Sequence, residues 1–145
     1  MNVNREQMLS PSINKRGLPY VHLYDGSGGG KNRTVSTLVA KSFLDPPYLD
    51  HYDTVIHKNG DREDCRAENL AWRPRWFAIE YHQQFDRKAH LYFERRVLEA
   101  TTNTIYDTIT EAAAAHGVLR RDVKYTIESG NGFVPLGRGA IFEAV

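Results

Sequence analysis

A chain of 145 residues, 41% of them hydrophobic, holds material for one ordinary core or two small ones and is too apolar for a disordered polymer. No stretch approaches the roughly 20 apolar residues of a membrane-spanning helix, the opening MNVNREQMLS lacks the apolar run of a secretory leader, and one cysteine, Cys65, excludes an internal disulfide or a multi-cysteine zinc site. The expected location is therefore the cytoplasm, and a net charge of +1, from 19 basic and 18 acidic residues, means that a nucleic-acid partner would have to meet basic side chains gathered on one face.

Residues 10–24 (SPSINKRGLPYVHLY) read as a loop entering a strand, since Tyr20, His22 and Tyr24 alternate with Val21 and Leu23. DGSGGGKN, residues 25–32, has four glycines in eight residues and is expected to form a mobile hairpin tip. It lacks the GK[ST] ending of a phosphate cradle, so its expected role is to carry Lys31 and Arg33 to a phosphate backbone. In residues 33–44 (RTVSTLVAKSFL), Val35, Leu38, Val39 and Phe43 recur at helical spacing, and Asp45-Pro46-Pro47 stops the helix.

Residues 53–57 read as a strand ending at His57. Lys58-Asn59-Gly60-Asp61 is a turn, and residues 69–72 form a second strand with Leu70 and Trp72 inward. Pro74 opens a helix over 74–86 with Phe77, Tyr81 and Gln84 or Phe85 on one stripe. Residues 91–107 read as a hairpin whose strands, 96–99 and 104–106, flank a turn at 101–103, with Arg95 and Arg96 as accessory cations. Thr110 is expected to cap a helix over 111–117 that Gly117 ends, and 119–129 form the next helix. Two short helices joined near a glycine match a helix-turn-helix. AIFEAV supplies a last strand. The chain is thus expected to divide into 1–88 and 89–145.

TVSTLVAKSFL followed by VIHKNGD and AENLAW resembles the phage HNH homing endonuclease family, with its hxLVAxxF helix and its H-x-D-G…N-x-x-E-N-L-x-W motif. NKRGLPYVHLYDG resembles the strand before that helix. VLEATTNTIYDTITEAAAAHGVLRRDVKYTIESG resembles the family's C-terminal helix-turn-helix module. Together these segments cover residues 10–145. The resemblance implies an α+β chain: an HNH (ββα-metal-like) fold with a C-terminal β-hairpin and helix-turn-helix. It puts His57 at the general-base position and Asn69 at the asparagine that braces the loop behind it, with Glu68, Leu70 and Trp72 in the surrounding frame.

The resemblance also marks departures. The metal-ligand position before the histidine holds Ile56, and the helix ligand aligns with Ala78. Neither side chain can bind a cation, whereas such nucleases need a hard ion held by oxygen or nitrogen donors. The family's loop asparagines align with Asp64 and Cys65. His82, one helical turn after Ala78, is the candidate for a relocated ligand, with Asp53 and Asp64 nearby in sequence. The plainer expectation is no metal, with His57 a hydrogen-bonded scaffold residue; magnesium or manganese enters only if the enzyme is active. His22, His51, His90 and His116 share no spacing and are assigned no ligand role.

For DNA, the resemblance turns Arg73 and Arg75 to phosphates. Arg120, Arg121 and Lys124, with Tyr125 beside them, lie on the second helix of the C-terminal pair, suited to a major groove. The expected function is sequence-specific binding of double-stranded DNA without cleavage, by a phage or mobile-element protein acting in transcription regulation. The alternatives are an active metal-dependent homing or nicking endonuclease and a phage protein that binds a host protein.

Overall fold

The computed structural model describes residues 8–24, 26–86, 95–130 and 139–145. Strands β1 (Ser12–Ile13), β2 (Pro19–Tyr24) and β3 (Gly30–Thr34) form an antiparallel sheet in the order β1-β2-β3. The β2 alternation holds: Val21 and Leu23 are half-buried, while His22 and Tyr24 are exposed. The glycine-rich tip is shorter than expected, because residues 30–34 pair into β3, with Lys31 opposite Leu23 and Arg33 opposite Val21. Those cations therefore stand on a hydrogen-bonded edge strand. Gly30 permits this pairing: the His22 imidazole lies where a β-carbon would be, and its Nδ1 is 2.7 Å from Asn32 Oδ1.

Helix α1 (Val35–Phe43) starts two residues later than its apolar spacing suggests, since Arg33 and Thr34 are committed to β3. It buries Ser36 and Ala40 and ends before the Asp45-Pro46-Pro47 stop. Strand β4 (Thr54–His57) pairs antiparallel with β5 (Leu70–Arg73), setting Ile56 opposite Ala71 and His57 opposite Leu70. Asn69 lies in a 3-10 turn, Ala67–Asn69, just ahead of β5, and Trp72 is half-buried. Pro74 precedes helix α2 (Arg75–Asp86), accepting from the Ala78 amide at 3.0 Å. Helix α2 buries Phe77, Ala78 and Tyr81 and leaves Trp76 and Ile79 exposed.

In the C-terminal half, β6 (Val97–Glu99) is the centre of a second sheet, ordered β7-β6-β8, between β7 (Thr104–Tyr106) and the final β8 (Phe142–Ala144). Residues 91–94 of the expected hairpin, and His90, lie outside the described residues. Helices α3 (Ile109–His116) and α4 (Arg120–Ser129) pack on this sheet. Their core is Val97, Ile109, Ala112, Ala113, Val118, Val123, Ala140 and Phe142. The cap of α3 is Thr108, not Thr110. The Thr108 hydroxyl accepts from the Glu111 amide at 3.0 Å, and the Glu111 carboxylate accepts from the Asp107 amide at 3.1 Å. The helix begins two residues early because Ile109 is drawn into the core as its first residue. Gly117 ends α3 at φ 61°, the left-handed conformation that glycine adopts without strain.

Glu99 is fully buried beside the β6–β7 turn. Its carboxylate accepts from the Thr101 amide at 2.9 Å, the Thr102 amide at 2.9 Å, the Thr102 hydroxyl and, at 3.4 Å, the Ile141 amide. Burial pushes its pKa up, but the hydrogen bonds from Thr102 and Thr101 outweigh it and bring it down to about 2. A carboxylate held below its unfolded value adds stability above that value and loses it as pH falls towards the folded one. Glu99→Gln should therefore cost about 2 kcal/mol at neutral pH, with the deficit shrinking between its ordinary 4.5 and about 2. Chemical denaturation across that range would show it, and a deficit independent of pH would contradict it. Thr108→Ala should cost about 1 kcal/mol through the lost cap, read in the same measurement, with Thr110→Ala costing less.

Candidate functional site

The site is built where β4 runs into its turn. Asn69 holds that turn as a clamp. Its Oδ1 accepts from the Asn59 amide at 3.0 Å, and its Nδ2 donates to Asn59 Oδ1 at 3.0 Å and to the Asp64 carbonyl at 2.8 Å. The Asn69 carbonyl takes the Lys58 amide at 2.7 Å. From α2, the Tyr81 hydroxyl donates to the Lys58 carbonyl at 2.6 Å. Lys58 in turn reaches the Glu68 carbonyl at 2.7 Å. Burial raises the Tyr81 pKa and lowers that of Lys58, so the neutral phenol stays a donor. One carboxamide and one phenol thus fix the backbone of the turn that follows His57.

His57 is 1% exposed. Contrary to the expectation of a hydrogen-bonded scaffold residue, neither ring nitrogen has a hydrogen-bond partner. The local donors and acceptors are already used: Asn69 and Tyr81 serve the backbone, and Asp64 faces away. Asp64 accepts from Arg66 Nε and Nη2, both at 2.8 Å, and from Asn59 Nδ2 at 2.9 Å. The Arg66 bonds hold its carboxyl far below the usual range. Burial lowers the His57 pKa, Arg62 adds to this, and Asp61 and Asp64 oppose it. The His82 ring stands 5.8 Å away, centre to centre.

The two positions that the family resemblance gives to metal ligands do come together. Ile56 (0% exposed) and Ala78 (4%) share one buried cluster with Phe77, Tyr81 and Leu119. Leu119 comes from the turn between α3 and α4. That turn presses on the same place: a β-carbon on Gly117 would lie 3.2 Å from Ile56 Cδ1. Among the described residues, no three of His, Cys, Asp and Glu come close enough to hold a metal ion. A hard cation needs oxygen-rich ligands, and hydrocarbon occupies the space. These residues do not fit magnesium or manganese.

The basic residues divide into two groups. Arg73 faces inward, donating from Nε to the Gly117 carbonyl and from Nη2 to the His116 carbonyl, both at 3.0 Å, and from Nη1 to the Trp72 carbonyl at 2.8 Å. Arg120 gives its amide to Gln84 Oε1 at 3.1 Å, and its guanidinium to the Gln84 carbonyl at 2.9 Å and the Thr110 hydroxyl at 3.3 Å. Both were expected to face DNA. The last carbonyls of α2 and α3 and the first amide of α4 lack partners within their own helices, and these contacts serve them. Arg121 pairs with Glu80 at 2.5 Å and Lys124 with Glu128 at 3.8 Å. Arg75, Lys31 and Arg33 are exposed.

Lys15 and Arg16, which the motif reading passed over, are exposed on the same sheet-bearing segment. Residues 8–34 contain four cations against the single Asp25. Arg62 joins them by donating to the Arg16 carbonyl at 2.8 Å. Local charge counted over this short segment, rather than over the whole chain, draws attention to it.

No protein-family model matches this chain. A protein of Acanthamoeba polyphaga mimivirus, described as an uncharacterized HNH endonuclease, is 35% identical over 71 residues. The match takes in 49% of this chain and 18% of that protein, less than a fifth of its length. Among solved structures, the chain is similar to one of DNA binding and cleavage by the HNH homing endonuclease I-HmuI. That similarity has a TM-score of 0.44 and 20% identity over 94% of this chain and 82% of the other. In sequence, the chain is HNH endonuclease-like.

The buried His57 carries a pH signature. Its folded pKa lies below the ordinary 6.5, so below that value the unfolded chain takes up a proton that the folded chain resists, and stability falls with pH. His116, whose pKa burial also lowers, acts in the same direction. Wild-type protein should lose stability as pH falls through 6.5, and His57→Gln should lose measurably less. Equal losses in denaturant titrations would contradict the burial of a neutral imidazole.

Proposed function

We propose that this chain is a sequence-specific double-stranded DNA-binding protein built on an HNH homing endonuclease scaffold, and that it binds without cutting. The observation that carries this reading is the hydrocarbon at Ile56 and Ala78, buried in one cluster where a cation would have to sit. A general base at His57 loses the metal ion that would stabilise the developing charge on a phosphodiester. Binding needs no such centre. Lys31, Arg33, Lys15 and Arg16, with Arg75 on α2, supply exposed cations for phosphate contacts, and Arg121 and Lys124 lie on α4. A non-cutting protein of this kind, from a phage or mobile element, would regulate transcription in the host cytoplasm.

A second reading, an active nicking enzyme, draws on the 5.8 Å approach of His82 to the unpartnered His57 ring. A third, capture of a host protein, draws on the net charge of only +1. Selection of duplexes from a random pool, with and without magnesium or manganese, separates the three. The expected result is a shifted but uncut duplex in both conditions, with affinity falling steeply as salt rises. Metal-dependent cleavage that His57→Ala abolishes would establish the enzyme instead. Absence of duplex binding at low salt would favour the protein partner.

A further inference from the structure

The contacts that join the two halves of the chain involve the cations expected to meet DNA. Arg73, on β5, holds the end of α3 through the His116 and Gly117 carbonyls. Arg120 and Arg121, at the start of α4, hold α2 through Gln84 and Glu80. Between these two fastenings Leu119, 4% exposed, is buried in one apolar cluster with Ile56, Phe77, Ala78 and Tyr81. Gly117 allows the turn to approach Ile56 and Arg73, each 3.2 Å from where its β-carbon would be. The contact is thus an apolar plug set between charged and polar staples.

We propose that the α3–α4 pair is an intramolecular latch, closed over the former ligand positions in the free protein, and that DNA opens it. Closed, the latch commits the guanidinium groups of Arg73 and Arg120 to internal acceptors and holds that of the exposed Arg121 in an ion pair with Glu80. Open, it offers three cations to phosphates. This inference rests on the DNA-binding reading above and adds to it a cost of opening. A binding-competent form that is only fractionally populated weakens apparent affinity by that fraction. Having Ile56 and Ala78 in place of ligand residues would then have a second consequence besides inactivity, because a polar cage could not take Leu119. The same hydrocarbon that excludes a cation makes the socket.

The test uses changes that loosen the latch and leave every cation in place: Gln84→Ala, Leu119→Ala and the pair together. Hydrogen exchange without DNA reads opening directly, and a mobility shift with mixed-sequence duplex at low salt reads affinity. The expected result is faster exchange at the amides of 117–121, retained protection in α1 and β4, and duplex binding ~10-fold tighter for the double variant. The wild-type salt dependence should match that of the variants once bound, since both end with the same phosphate contacts. Faster exchange with unchanged or weaker binding overturns the latch, because the docked form would then be the binding form. Unchanged exchange overturns it too, since these contacts would not be what holds the pair. Failure of wild type and variants alike to bind duplex defeats the DNA-binding reading and the latch together, whereas wild-type binding that no variant improves defeats the latch alone.

Discussion

The packing of Ile56 against Ala78, with Leu119 laid over them, is the contact on which the rest of the arrangement depends. Strand β4 delivers Ile56, helix α2 delivers Ala78 along with Phe77 and Tyr81, and the α3–α4 turn delivers Leu119. Each comes from a different element, so the cluster exists only once both halves have folded and met. Its chemistry decides two matters together. Hydrocarbon at these positions offers nothing to a hard cation, and it offers the α3–α4 turn a place to bury an aliphatic side chain.

Around that cluster, polar groups are assigned so that His57 is left over. Asn69 and Tyr81 satisfy the backbone of the turn that follows it, and Asp64 is held by Arg66 and Asn59. The imidazole is buried without a hydrogen-bond partner at either nitrogen, and burial lowers its pKa and so favours the neutral form. The scaffold keeps its geometry because the Asn69 clamp stabilises the turn whether or not a reaction follows.

The cations divide by the same logic. Helix ends leave carbonyls and amides without partners inside the helix, and Arg73 and Arg120 lie within reach of such groups at the junction. Cations on the β1–β3 segment have no comparable claim on them. Lys31 and Arg33 stand on an edge strand with their side chains in solvent. An even overall charge therefore conceals a local difference: the cations of residues 8–34 stand exposed, while Arg73 and Arg120 at the junction are committed to internal acceptors.

The sequence alone determined the α+β order of elements, because period-two and helical spacing, glycine turns and proline stops are local signals. The family resemblance singled out His57, Asn69, Ile56 and Ala78, and all four fall within or beside the β4–turn–β5–α2 unit that local signals predict. Boundaries that depend on tertiary packing were not legible: Thr108 caps α3 because Ile109 is pulled into the core, and residues 30–34 form a strand because the His22 ring can lie across Gly30. Only the tertiary structure decided the partners of Arg73 and Arg120, the isolation of the His57 ring and the arrival of Leu119 over Ile56. Those outcomes depend on residues more than 30 positions apart finding one another, and no local pattern records which of several exposed-looking arginines will be needed to close a junction.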